Sequence, residues 1–375
     1  MKHFFAILLI LLITLSSFSL LIISLQISRK NDAENFYLGV TFSSNTTAEA
    51  KLLVERVKDY TNLFVVDSGP VSKNETMLNE ICDYAVKAGL HILVYFGKFD
   101  LPWQPQWLDT VKQRWGASFL GVYFYDEPAG SLLDTQNNST YLDSNPPKTY
   151  DDMADHFINS WRTMPGLATV KDRPNPPTTY TSDYALYWFD YLAGYNVLLA
   201  QFGWNHTRAQ DIALVRGAAH VQNGNWGAVM TWTYSEAPYL ENGTALYNDM
   251  VLAYEAGAKY IVVFNYPIIT NYGVMQEEHF EALQNFWRDI KASKYIQKDS
   301  AEAVLVLPKN YGWGMRNPVD SIWGLWGPDE KSPIIWNALE ILLARYGTNL
   351  DIVYDDAAFP LKDKYSTIYY WNSKL

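Results

Sequence analysis

Short apolar runs recur along this chain at the spacing of βα units, and the stretches between them carry apolar residues at helical intervals. Eight such runs stand at residues 37–42, 63–67, 91–96, 119–125, 178–182, 196–202, 226–233 and 260–265. Several are nearly unbroken, such as Leu63-Phe64-Val65-Val66 and Tyr260-Ile261-Val262-Val263-Phe264, which predicts strands buried on both faces and therefore paired in parallel. Between runs, Ile212, Val215 and Ala219 repeat at i, i+3, i+7, as do Phe280, Leu283 and Trp287, predicting covering helices with one buried stripe. Eight repeats in about 260 residues predict an α/β fold of the (β/α)8 TIM-barrel type rather than an open sheet.

One excursion breaks the alternation at residues 129–177, with the polar DTQNNST and a helix predicted near residues 151–161. Barrels carry their functional additions in βα loops, so this insertion is expected to form a lid or a wall of a cleft. After residue 300 a strand at 303–307, a helix from Ser332 to the stop at Gly347, and strands at 350–354 and 366–371 predict a small α/β (flavodoxin-like) layer. The organisation expected is thus a leader and linker at 1–35, a barrel at 36–298 and a small α/β domain at 299–375.

The leader changes the picture. Residues 4–27 are almost wholly apolar and uncharged, long enough to cross a hydrocarbon core of about 30 Å as one helix. A single-pass anchor in the cell membrane with an extracellular body is expected, the alternative being secretion after cleavage of a signal peptide. Acceptor triplets at Asn45, Asn74, Asn137, Asn138, Asn205 and Asn242 point to the same glycosylated exterior. The single Cys82 forms no internal disulfide, so stability rests on the core. With 29 basic against 40 acidic residues, the formal charge of -11 repels phosphate backbones, and no nucleic-acid partner is expected.

In a barrel, chemistry belongs at the carboxyl ends of the strands. There the fourth run ends in adjacent carboxylates, Asp126 and Glu127, where crowding of negative charge and partial burial raise a carboxyl pKa as a general acid requires. Glycosidic hydrolysis uses two carboxyl groups, and Glu236, past the seventh run, is the candidate partner, with Asp67 and Asp183 in reserve. Aromatics make up 15% of the chain, and Tyr95, Trp204, Trp232 and Tyr234, with Asn265 at the eighth run, are candidates to hold a carbohydrate. Each also fits a bland role, as barrel filling, helix cap or solvated loop. Neither a metal nor a cofactor is expected: H-E-x-x-H, G-x-S-x-G and phosphate-loop motifs are all missing.

The carboxylate-bearing fourth strand, aromatic strand ends and trailing α/β layer resemble the (β/α)8 glycoside hydrolases, including β-galactosidase-like enzymes whose barrel precedes a glutamine-amidotransferase-like domain. The resemblance implies an acid/base glutamate at Glu127 and a nucleophile on the seventh strand, matched loosely by Glu236. Asp126 stands where that family has asparagine. The segment from Ser182 to Asp190 is similar to segments of uncharacterised archaeal surface proteins. A membrane-anchored glycoside hydrolase is the function expected, against a non-catalytic glycan-binding or structural surface protein.

Overall fold

The computed structural model describes residues 36–134, 146–204, 206–298 and 300–375. The expected membrane span at 4–27 lies outside them. So do the acceptors Asn137, Asn138 and Asn205.

Eight parallel strands close into a barrel in sequence order: β1 (Tyr37–Phe42), β2 (Leu63–Val66), β3 (His91–Gly97), β4 (Phe119–Phe124), β5 (Thr178–Asp183), β6 (Val197–Phe202), β7 (Asn225–Met230) and β8 (Tyr260–Val263). β8 returns to pair with β1, so no edge is left open. The unbroken apolar runs follow from this arrangement. Leu63 and Val65 of β2, with Tyr260 and Val262 of β8, point inward to a cluster that fills the barrel, while Phe64, Val66, Ile261 and Val263 point outward beneath the helices. Inside, the Tyr180 hydroxyl donates to the Tyr260 hydroxyl at 3.1 Å, closing the lower part of the barrel.

The chain then forms a three-stranded parallel sheet in the order β10-β9-β11, from β9 (Ala303–Leu307), β10 (Leu350–Tyr354) and β11 (Thr367–Tyr370), with the helix Ser332–Tyr346 between β9 and β10. This sheet overturns one expectation. The helix Arg208–Gln222 was expected to bury a single stripe, but it is buried on nearly every side, Leu214, Arg216, Gly217 and Ala218 included. Its outer face is covered by β10. Arg216 pairs with Asp351 at 2.8 Å, both side chains out of solvent, and donates to the carbonyls of Thr348 and Leu350. By contrast the helix Glu277–Lys291 keeps one buried face, with Phe280 and Leu283 inside and Trp287 at its margin.

At the crossing, a Cβ on Gly217 would lie 2.5 Å from the Ile352 carbonyl oxygen. Gly217→Ala is therefore expected to push the sheet off the barrel and cost about 1–3 kcal/mol, read by chemical denaturation. An unchanged midpoint would show that the sheet rides loosely on the helix.

Where it is described, at 129–134 and 146–177, the insertion braces the C-terminal layer. Among the described residues of 129–177, none lines the barrel mouth. Its helix Tyr150–Arg162 instead packs Tyr150 against Tyr311 and Trp326, and Phe157 against Trp323, all beyond β9.

Candidate active site

The carboxyl ends of the strands surround a cavity of about 450 Å³. Asp126 and Glu127 enter it directly after β4, with Asp67 from the end of β2 and Tyr95 from β3. The turn that presents them is held under strain. Tyr125 and Glu127 have φ of 48° and 53°, and Trp204, on the far rim, has 52°. Non-glycine residues in the left-handed region cost about 1–3 kcal/mol each and persist where surrounding structure imposes them. Here the Glu127 amide donates to the Ser182 carbonyl at 2.9 Å, and the Thr181 hydroxyl donates to the Tyr125 carbonyl.

Each carboxyl has a distinct setting. Asp126 Oδ1 accepts from the Tyr123 hydroxyl and the Ser182 hydroxyl, both at 2.6 Å. Water reaches this side chain through the cavity, yet protein walls it in. Burial raises its pKa, and the Ser182 and Tyr123 bonds pull it back part of the way. Glu127 Oε1 accepts from Gln201 Nε2 at 2.8 Å. Its pKa is raised first by burial and then by the charge of Asp126. Asp67 is pushed up to about 7, by burial and then by Asp126. The charge of Asp126 thus acts to raise the pKa of both neighbours.

The pKa of Asp67 is raised in the folded chain from an ordinary 3.8, so folding takes up a proton between these values. The stability it contributes is complete below pH 3.8 and is lost as pH rises through about 7. Asp67→Asn has nothing to ionise and is expected to show a shallower fall in Tm from pH 4 to pH 8 than the parent. Parallel curves would mean that Asp67 titrates like an unfolded aspartate.

The far wall is uncharged: Gln201 from β6, Thr231 and Trp232 after β7, Phe264 and Tyr266 after β8, and Trp204. Trp232 stacks on Tyr266 with ring centres 6.1 Å apart and planes within 15°, and its indole N–H donates to the Tyr266 carbonyl at 2.6 Å. Among the described residues, the carboxylates lining the cavity are Asp67, Asp126 and Glu127, all from the β2 to β4 side. No described group of three or more His, Cys, Asp or Glu has a metal-holding arrangement.

Four expected site residues lie elsewhere. Glu236 is solvent-exposed with Tyr234 on a shallow outer groove. β7 ends at Met230, and the amides of Thr233 and Tyr234 both donate to the Tyr239 carbonyl, which turns residues 234–238 outward. Asp183 is buried away from the cavity and accepts from the amides of Ala129, Gly130 and Tyr184 at 2.7, 2.8 and 2.7 Å. It ties β5 to the loop that carries Glu127. Asn265 is spent on the loop after β8, accepting from Val274 and Met275 and donating to the Tyr272 carbonyl. Gly273 is required beside it, because a Cβ there would fall 2.3 Å from the Asn265 carboxamide.

Gln201, Ser182 and Tyr123, which hold the carboxylates, were not foreseen as site residues. The available signal was a polar side chain at the carboxyl end of an otherwise apolar strand, as with Gln201 in Val197-Leu198-Leu199-Ala200-Gln201-Phe202.

No protein-family profile matches the chain, and no curated protein matches it in sequence. Solved structures do share its architecture. A β-galactosidase from the Antarctic haloarchaeon Halorubrum lacusprofundi superposes with a TM-score of 0.57 at 10% identity, over 89% of this chain and 69% of that one. GH5_18 from Bifidobacterium longum subsp. longum gives 0.50 at 10% identity, over 90% and 98%. An α-L-fucosidase isoenzyme 2 from Paenibacillus thiaminolyticus gives 0.53 at 11%, over 89% of this chain and 59% of the fucosidase. At such identities the likeness is one of fold: the chain has a (β/α)8 barrel similar to that of a β-galactosidase and an α-L-fucosidase.

Proposed function

We propose that the protein is a glycoside hydrolase-like enzyme acting on an oligo- or polysaccharide, with Glu127 as proton donor. The observation that carries this reading is the strained β4 turn, which places two carboxyl groups of raised pKa beneath an aromatic wall. Glu127, held by Gln201, would protonate the leaving glycosidic oxygen. Asp126, with two hydroxyl donors on one oxygen, would stay ionised and stabilise the positive charge that develops on the sugar ring. Asp67, raised to about 7, is the carboxyl group suited to exchange a proton with water near neutral pH. Trp232, Trp204 and Tyr266 would pack on the apolar faces of the sugar.

We place the body outside the cytoplasm. In support, Asn45, Asn74 and Asn242 are exposed, and all three stand in connections from a barrel strand to the next long helix, on the side of the barrel where the cavity opens. The Oδ1 atoms of Asn74 and Asn242 cap helices by accepting from Met77 and Ala245, which leaves Nδ2 for a glycan.

One feature favours a second reading, a barrel that binds glycans without cleaving them: the β7 side of the cavity offers Thr231 and Trp232 where a facing carboxylate would complete a pair. The full chain should be incubated with a panel of neutral polysaccharides while new reducing ends are measured. Products support hydrolysis. Binding without products selects the second reading, and neither result would end both.

A further inference from the structure

A second cavity, of about 490 Å³, lies where the barrel meets the C-terminal layer. Trp204 lines both it and the barrel mouth, so the two cavities share a wall. Trp336, from the helix Ser332–Tyr346, also lines the second cavity, with His206, Tyr184 and Arg316. Asp211 also lines it; this residue is 4% exposed, and its Oδ2 has no hydrogen-bond partner in the protein. A buried carboxyl oxygen without a partner is costly, and the groups able to satisfy it are those of a ligand or solvent in the cavity.

Among the described residues, the one cation of this cavity is already spent. Arg316 is bound by Asp320 through two nitrogens at 2.8 Å and by Asp134, so its guanidinium is not free for a phosphate. Burial raises the pKa of Asp211 and lowers that of His206. What remains is a set of polar donors and acceptors, without a free cation, in a cavity lined by two indoles. That combination matches a polyhydroxylated ring, which offers hydroxyls at its edge and C–H groups on its faces.

We propose that this cavity is a second saccharide site, reached across Trp204 from the first, so that the protein holds a chain of several sugar units along the barrel and onto the C-terminal layer. The proposal rests on the carbohydrate reading of the first cavity. It gives the C-terminal layer a share in substrate length selection.

The test is calorimetric titration of the full chain, carrying Glu127→Gln to prevent turnover, with neutral β-linked gluco- and galacto-oligosaccharides of increasing length from the disaccharide upward. Trp336→Ala removes a stacking face, and Asn317→Trp blocks the cavity from an exposed rim position without disturbing buried groups. Both are expected to weaken the longest oligosaccharides by about tenfold while leaving disaccharides unchanged. Unaltered binding of every length in both variants, or equal loss at every length, would overturn the second site while leaving the first reading in place. If no saccharide binds even the unblocked chain, the carbohydrate reading falls and the inference with it.

Discussion

Glu127→Gln is expected to lower kcat on polysaccharide by on the order of 10²- to 10⁴-fold, the range by which a positioned acid accelerates proton transfer. The substitution is a clean probe because Gln keeps an Oε1 that accepts the same bond from Gln201 Nε2, now 2.8 Å from the glutamate. The side chain stays in place and the proton is gone. A further consequence separates loss of acid from loss of fold. An aryl glycoside whose leaving group departs without protonation should retain far more activity in the variant than a natural sugar linkage does. KM should change little, since the aromatic wall is untouched. Equal rates for parent and variant on a natural linkage would remove Glu127 from the chemistry.

The second large effect concerns stability. Arg216→Ala is expected to cost about 3–5 kcal/mol, measured by chemical or thermal unfolding, because it leaves Asp351 buried with its countercharge removed. Asp351 also accepts from the Tyr365 hydroxyl at 2.9 Å, with the His220 Nδ1 3.9 Å from the same carboxylate, which is too little to replace the guanidinium. Burial already raises its pKa despite the pull of Arg216. Without the arginine it rises further, so the variant should regain part of its deficit at acid pH, where Asp351 is protonated in both folded and unfolded chains. Asp351→Asn added to Arg216→Ala should also recover part of the loss. The recovery stays incomplete because the Thr348 and Leu350 carbonyls lose their donor. A loss that ignores pH would locate the cost in packing rather than in charge.

How much of this could be read from the chain alone depends on how far apart the determinants lie. The barrel strands were legible because each is specified by its own residues: 63–66 and 260–263 are apolar at every position and must be covered on both sides. The strand-end pair Asp126 and Glu127 was legible for the same local reason. The direction of Glu236 was not legible because it depends on Tyr239 folding back on Thr233 and Tyr234, a turn that no periodicity announces. Gln201 meets Glu127 from 74 residues away, and its partner was invisible in the strand that bears it. The double burial of the helix Arg208–Gln222 was hidden further still, since its outer cover is supplied by residues 350–354.

That helix follows the strand bearing Gln201, and its other face carries the C-terminal sheet. Inside the barrel the apolar cluster is its own, but the outer core beneath the helices is shared with the sheet. A truncation before β9 would bare Leu214, Ala218 and the Arg216 guanidinium together, turning a covering helix into an aggregation surface. The two layers are successive in chain order, but they share this helix as a common wall.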